Sequence, residues 1–445
     1  MVARAIGGRR SRPSSMVAGP PAGGGAVSGV LTNAFEALDQ RGIAWALLRG
    51  ARALGELAAD VDLLVDAAAA AEIDGVLLAA GFARIRAPGH GSHRFYVSYD
   101  ASQDRWIELD IVTVVAFGTR QQFRTALAPA LLARRRRFGT VATLHPDDGF
   151  WHLLLHLLLS RGGVPAQHRD VLRSSVSSAL DGGPLQAFVR ALRPRVASRL
   201  PAAVEAGDWR AVVELGRELG RAWYLREGLG VVARSTLHRV ERHIPPGGAR
   251  RGMSVAVLGP DGAGKTTLAE ALRSSTRLPA AYVYLGVWRE FRFEAQLRRI
   301  FGARLALRLV KLLVKRALIA WHQRRGHLVI LDRYTLDADL PSDDLDLKGR
   351  ISARLVRRTN ADPELMILLD APAELMYARK GEHGVAELQL RRTAYLAMVE
   401  RFPQMVVIDA EQSRDEVRRQ ATELIWKQWL QSDASGASQS ASRAA

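Results

Sequence analysis

Apolar and polar positions follow three different rhythms along this 445-residue chain. From Val30 to His145, short apolar runs predict strands at Ile43–Leu48, Val61–Val65, Arg94–Tyr99 and Trp106–Val115. Helices are expected between them, over Leu31–Arg41 and the alanine-rich Ala67–Ala80. From Pro146 to Pro245 the period is helical throughout, and its first segment, Phe150–Leu159, is apolar almost all round, which predicts a buried helix. From Met253 to Leu430 the rhythm becomes that of a parallel α/β fold. Short apolar runs at Ser254–Leu258, Ala281–Leu285, Leu328–Leu331, Leu365–Leu369 and Met405–Ile408 are each expected to be strands buried on both faces, with helices in the gaps. The pattern predicts an α+β domain over 30–145, a helical middle region over 146–245 and a C-terminal α/β domain over 253–430 with helices on both faces of its sheet. Residues 246–252 read as a linker, and the small, polar segments 1–29 and 431–445 as disordered tails.

Composition narrows the chemistry. There is no cysteine, which excludes disulfides, thiolate metal sites and thiol catalysis. The formal net charge is +18, yet the only lysines are Lys265, Lys311, Lys315, Lys348, Lys380 and Lys427. Arginine in place of ordinary solvated lysine is a compositional bias, so the charge is not taken as a sign of nucleic-acid binding. The run Arg134–Arg137 is expected to be a solvated helix end. No apolar segment is long enough to span a membrane, residues 1–29 have no signal-peptide pattern, and a cytoplasmic location is expected. The Leu-, Val- and Ile-rich stretch Leu297–Arg325, with Arg304, Arg308, Lys311 and Lys315 at helical spacing, is read as a crossover helix packed on the core with a basic outer stripe, in preference to a membrane-surface helix. His152 and His156 lie four apart on one helix face, but without a third ligand they read as core or capping residues.

The sharpest chemical signal is Gly259-Pro260-Asp261-Gly262-Ala263-Gly264-Lys265-Thr266-Thr267, a phosphate loop directly after a predicted strand and opening a helix. Such a loop points backbone N–H groups at a nucleotide's phosphates. Lys265 reaches the β- and γ-phosphates and Thr266 holds Mg²⁺. Asp332-Arg333-Tyr334 closes a later strand at its carboxyl end, where open α/β sheets bind ligands; Asp332 suits Mg²⁺ and Arg333 an anionic acceptor group. Leu369-Asp370-Ala371-Pro372 ends another strand, and Arg379-Lys380-Gly381-Glu382-His383-Gly384 suits a basic lid supplying Arg379, Lys380 and Arg391 or Arg392. A hydroxyl acceptor needs a base, for which Asp261, Asp332 or Glu290 could serve; a phosphate acceptor needs none.

These motifs together resemble the thymidylate kinases. The resemblance implies a P-loop fold over 253–430, ATP and Mg²⁺ as cofactors, contact of Asp261 with a nucleotide sugar, of Arg333 with an acceptor phosphate, and of the lid arginines with ATP. It also implies a nucleotide and a small-molecule acceptor as partners; a homodimer is one open expectation for the assembly. The chain departs from that family after Asp-Arg-Tyr: Thr335-Leu336-Asp337-Ala338-Asp339-Leu340-Pro341 replaces the polar stretch that reads thymine. In this the chain looks like the thymidylate-kinase-like proteins associated with bacterial surface-polysaccharide genes, and an acceptor other than dTMP is expected.

A second constellation lies in the first domain. Gly50-Ala51 after one strand, Asp60-Val61-Asp62 on the next and Asp110 on a later one resemble the minimal nucleotidyltransferases. Alternation puts Asp60 and Asp62 on one face, and Asp110 could complete a three-carboxylate site for two metal ions. Ala51 stands where that family has a serine, so the fold is expected more strongly than the activity. The leading expectation is therefore transfer of the ATP γ-phosphate to a small acceptor; nucleotidyl transfer through Asp60, Asp62 and Asp110, or a non-catalytic, nucleotide-gated interaction protein, are the alternatives.

Overall fold

The computed structural model describes residues 28–48, 60–85, 93–177, 182–241, 252–285, 303–334, 336 and 362–444. The chain forms two compact units, Met1–Pro246 and Gly247–Ala445. The proposed N-terminal tail up to Val27, most of the linker, the Gly50-Ala51 turn, Glu290 and most of Thr335–Pro341 lie outside the described residues.

The first unit is built on a mixed sheet. Its strands are β1 (Trp45–Leu47), β2 (Asp60–Val65), β3 (Ala83–Ile85), β4 (Arg94–Asp100), β5 (Arg105–Val112), β8 (Arg136–Phe138) and β9 (Val141–Thr143), in the order β3-β4-β5-β2-β1-β9-β8. β6 (Ala116–Phe117) and β7 (Phe123–Arg124) make a separate hairpin. Strict alternation splits the side chains between two cores. Trp45, Leu47, Val61, Leu63, Leu109 and Ile111 face the helices Gly29–Gln40 and Ile73–Ala79. Ala46, Leu64 and Val112 join the opposite core with Phe150, Trp151 and Leu154 of the helix Pro146–Ser160. The strand region and the helical region thus share one core, in which Trp223 packs edge-on or tilted against Phe117, Phe123 and Phe188. Proline opens the helices at Pro146, Pro184 and Pro194, where its missing N–H costs nothing.

The arginine run is not a solvated helix end. Arg134 closes the helix Ala128–Ala133 and lies 3.7 Å from both Asp147 and Asp148, two fully buried carboxylates in the first turn of Pro146–Ser160. Arg136 and Arg137 continue into the exposed edge strand β8. Burial pushes the Asp148 carboxyl up to about 6, Arg134 opposes this and the Asp147 charge adds to it. A carboxyl raised in the folded state keeps its proton where the unfolded chain has released it, so stability falls as pH rises from about 4 to about 6 and stays lowered above that. The Asp148→Asn variant is expected to remove this dependence. Its unfolding free energy in urea should gain on the parent, between pH 4 and pH 7, by on the order of 2 kcal/mol.

The second unit holds five parallel strands, β10 (Ser254–Leu258), β11 (Ala280–Tyr284), β12 (Leu328–Asp332), β13 (Leu365–Asp370) and β14 (Met405–Asp409), in the order β11-β12-β10-β13-β14. Only the central three are buried along their whole apolar runs. The edge strands β11 and β14 alternate buried with partly exposed positions, because each has a neighbour on one side only. The last helix runs Arg414–Ala444, through the segment whose composition suggested a tail; its alanines and the absence of proline are compatible with continuing a helix already nucleated.

The crossover helix Ala303–Arg324 departs from expectation. Leu312 and Gln323 are buried and Ile319 packs against the core, but Val310, Leu313, Val314, Leu318 and Trp321 are exposed on the other side. The sheet can cover only one face of a helix, and here the apolar arc is wider than that face.

Candidate active site

The phosphate loop leaves the central strand β10, between the ends of β12 and β13, so the topology gathers three carboxyl strand ends around it. Gly259 has φ 138° and a Cβ there would lie 2.6 Å from the Leu369 carbonyl oxygen; at Gly262, φ 89°, it would lie 2.3 Å from that of Met376. Only glycine fits either place. The helix Lys265–Ser275 starts directly from the loop, aiming its N-terminus into a cavity of about 470 Å³. Arg333, Arg379, Lys380, Gln412 and Arg414 line the rest of that cavity.

Lys265 is buried, its Nζ donating to the Gly259 and Pro260 carbonyls at 2.7 and 2.8 Å. Thr266 Oγ1 donates to Asp332 Oδ2 at 2.9 Å, and Tyr282 OH donates to the same oxygen at 2.7 Å. Burial, then this bond, raises the Tyr282 pKa and keeps the phenol protonated. The other carboxylate oxygen, Asp332 Oδ1, is buried and accepts no hydrogen bond from the described residues. A buried carboxylate oxygen left over beside a threonine hydroxyl fits a hard divalent cation, so Thr266 and Asp332 are the residues that would hold Mg²⁺.

Asp261 is the electrostatic centre. Its carboxylate pairs with Arg333 at 2.8 Å, with Lys265 and Lys380 at 3.6 Å each, with His383 at 3.4 Å and with Arg391 at 3.5 Å. Burial would raise its pKa, but Lys265, Arg333, Lys380 and His383 together hold it below the ordinary carboxylate value. Arg333 reaches Asp261 from a left-handed backbone, φ 68°, directly after β12. Arg392 instead forks onto Asp370 at 2.6 and 2.8 Å, and Arg379 donates to the Ala410 carbonyl at 3.0 Å. Asp261, Glu382 and His383 also bring ligand atoms within 4.8 Å of one another. The surrounding cations make that a poor metal site.

The structure therefore brings Asp261, Lys265, Thr266, Asp332, Arg333 and Lys380 together, with Arg379 on the cavity wall. Sequence reasoning missed Tyr282 and His383. Tyr282 carries no motif, whereas His383 lies inside the lid and its spacing to Glu387, which its Nδ1 meets at 3.1 Å, was visible.

In the first unit, Asp62 pairs in register with Asp110, and Asp60 with Glu108, across the parallel strands β2 and β5. All four lie on the face that continues through Leu64 and Val112 into the core. His93 Nδ1 lies 2.7 and 2.8 Å from the two oxygens of Asp110. Asp60, Asp62 and Asp110 are not among the described clusters whose ligand atoms lie within 4.8 Å of one another. The buried His152 faces the Phe117 ring at 5.6 Å.

A phosphate loop on the middle strand of a parallel sheet, with Thr266 and an aspartate from the neighbouring strand at its mouth, defines a P-loop nucleoside-triphosphate site. The relatives take this further. A thymidylate kinase of Xanthomonas euvesicatoria pv. vesicatoria (strain 85-10) is 32% identical over 198 residues, 39% of this chain and 83% of the relative. One of Xanthomonas campestris pv. campestris (strain B100) is 34% identical over 197 residues, 38% of this chain and 81% of the relative. The chain belongs to the thymidylate kinase family, and nucleotide-kinase-like phosphotransfer is the activity of that part of it. The solved thymidylate kinase of Candida albicans aligns with 40% of this chain and 93% of its own, at 18% identity and a TM-score of 0.33. No family model matches the chain.

Proposed function

We propose that the second unit transfers the γ-phosphoryl group of ATP to a small acceptor that itself carries a phosphate. The observation that supports this most is the ring of Lys265, Arg333, Lys380, His383 and Arg391 around Asp261, next to the phosphate loop. A neutral hydroxyl acceptor needs a base, and the two described candidates are poor ones. Asp261 is held ionised by its cations, and Asp332 is engaged by Thr266 and Tyr282. A phosphate acceptor needs only positioning and charge neutralisation.

Lys265 and the loop amides hold the β- and γ-phosphates, Arg333 and Arg391 hold the acceptor phosphate, and Lys380 with Arg379 closes over the donor. An acceptor phosphate oxygen attacks the γ-phosphorus while the bond to the β–γ bridging oxygen breaks and ADP leaves; no proton is taken from the acceptor. Mg²⁺ held by Thr266 and Asp332 would neutralise charge on the phosphates. The test is γ-phosphate transfer to a panel of nucleoside monophosphates, sugar phosphates, nucleosides and polyols. Turnover confined to the unphosphorylated members would overturn the reading. Because the residues after Asp-Arg-Tyr lack the thymine-reading pattern, dTMP is expected to hold no privilege within the panel.

Arg333→Gly separates the two things Arg333 does. Glycine adopts φ 68° without strain, so stability should hold, whereas loss of the guanidinium should raise the acceptor KM by about 10²-fold with the ATP KM little changed. Steady-state kinetics varied in each substrate check this.

A second reading rests on the register of Asp62 with Asp110 and Asp60 with Glu108. Paired carboxylates on one sheet face suit nucleotidyl transfer with two metal ions. Pyrophosphate release that disappears in Asp62→Ala would support it; no release from any nucleoside triphosphate would remove it.

A further inference from the structure

Asp332 Oδ2 accepts hydrogen bonds from two different elements. Thr266 Oγ1 reaches it from the first turn of the helix Lys265–Ser275 at 2.9 Å, and Tyr282 OH reaches it from the edge strand β11 at 2.7 Å. The threonine belongs to the phosphate loop, whereas the tyrosine belongs to no motif. Its placement follows from register. Tyr282 pairs with Ile330 and Tyr284 with Asp332, so alternation sets the Tyr282 ring on the Asp332 face of the sheet, one pleat short of the carboxylate. A phenol spans that gap; a phenylalanine there would keep the ring and lose the donor.

A carboxylate oxygen offers two lone pairs. Thr266 and Tyr282 together occupy both on Oδ2, while Oδ1 is buried and accepts nothing from the described residues. The two oxygens of one group are thus made unequal before any cation arrives. Turning the carboxylate so that both oxygens face a cation would cost both hydrogen bonds, in a buried place where each is stronger than in water. Binding through one oxygen suits Mg²⁺, which demands near-ideal octahedral geometry. Ca²⁺ is larger, collects about six to eight oxygens and gains from a carboxylate bound through both of its own.

We infer that Tyr282 is a positioning residue for the metal site: its hydroxyl pins Asp332 Oδ2, presents Oδ1 alone and so favours Mg²⁺ over Ca²⁺. This rests on the reading that Thr266 and Asp332 hold the metal, and adds the side chain that sets how the carboxylate meets it.

The test is calorimetric binding of the β,γ-imido analogue of ATP to the full-length protein without metal, with saturating Mg²⁺ and with saturating Ca²⁺, so that no turnover enters. The gain in nucleotide affinity that each metal brings is the measured quantity. In the parent, the Mg²⁺ gain is expected to exceed the Ca²⁺ gain by about tenfold. In Tyr282→Phe the Mg²⁺ gain should fall by about tenfold, the size usual for a lost partner of a metal ligand, while the Ca²⁺ gain holds or rises and the metal-free affinity is unchanged. A tyrosine with a structural role only would lower the metal-free affinity or the melting temperature and leave the ratio of the two gains alone, which overturns the inference. Equal gains in the parent overturn it too, whether or not the variant folds. Asp332→Asn tells this failure from that of the metal site. If Asp332→Asn loses the Mg²⁺ gain while Tyr282→Phe keeps the parent's ratio, the role of Tyr282 alone falls. If Asp332→Asn keeps the Mg²⁺ gain, the metal site falls and the role of Tyr282 with it.

Discussion

Lys265→Ala is expected to reduce kcat by about 10³-fold or more, because its ammonium is the one loop side chain able to follow charge onto the γ-phosphate as the bridging bond breaks. The fold should survive. Lys265 caps the carbonyls of Gly259 and Pro260, and its removal leaves Asp261 still paired with Arg333, Lys380, His383 and Arg391. Single-turnover phosphoryl transfer, read beside circular dichroism and a melting curve, separates the two effects. A folded variant with an unchanged rate would falsify the assignment of the donor site.

For Asp332→Asn, activity and stability should part company. The asparagine carbonyl can still accept from Thr266 and Tyr282, so both hydrogen bonds persist. What changes is the second oxygen, which accepts nothing from the described residues now and becomes an NH₂ group unable to bind a cation. Turnover should fall by about 10²- to 10³-fold and need far more Mg²⁺ for its half-maximal rate. The metal-free variant should be at least as stable as the parent, by up to about 1 kcal/mol, since a buried charge has been traded for a neutral amide. Mg²⁺ titrations of rate and urea melts without metal measure the two sides. A variant that keeps both its rate and its metal requirement would take Asp332 out of the metal site.

The donor half of the site was legible because its chemistry is written in consecutive residues. A loop needing glycine at Gly259 and Gly262, then Lys265 and Thr266, is a local pattern, and Asp332-Arg333 follows a strand visible from its apolar run. The half gathered around Asp261, the proposed acceptor side, was only partly legible. Asp261 collects partners from the loop, β12, the lid and the helix Val385–Val399, and no spacing rule foretells which of Arg379, Arg391 and Arg392 arrives. In the event Arg391 meets Asp261, Arg392 forks onto Asp370, and Arg379 stays on the cavity wall.

The alternation of Asp60 and Asp62 could be read directly, but their partners across β5 depended on register, which the sequence of one strand does not carry. The helix Ala303–Arg324 was misread for a related reason. A crossover helix with apolar residues around much of its circumference offers the sheet several faces, and only packing chose Leu312 and Ile319 for the inside. Likewise Arg134 belongs to a run of four arginines that looks uniform, yet it alone of them lies against the buried Asp147 and Asp148.

The arrangement around Asp261 has a consequence for ligand choice. Before any substrate arrives, one carboxylate already stands in for a phosphate and keeps a dense group of cations from repelling one another apart. An entering ligand must therefore displace an internal rival of single charge. If the acceptor is a phosphate ester, as proposed, its dianion would do so readily, whereas a carboxylate metabolite of similar size would gain almost nothing by the exchange. On the phosphate-acceptor reading proposed above, the pocket would sort molecules by charge number before it sorts them by shape, a filter that would leave the rest of the acceptor free to vary.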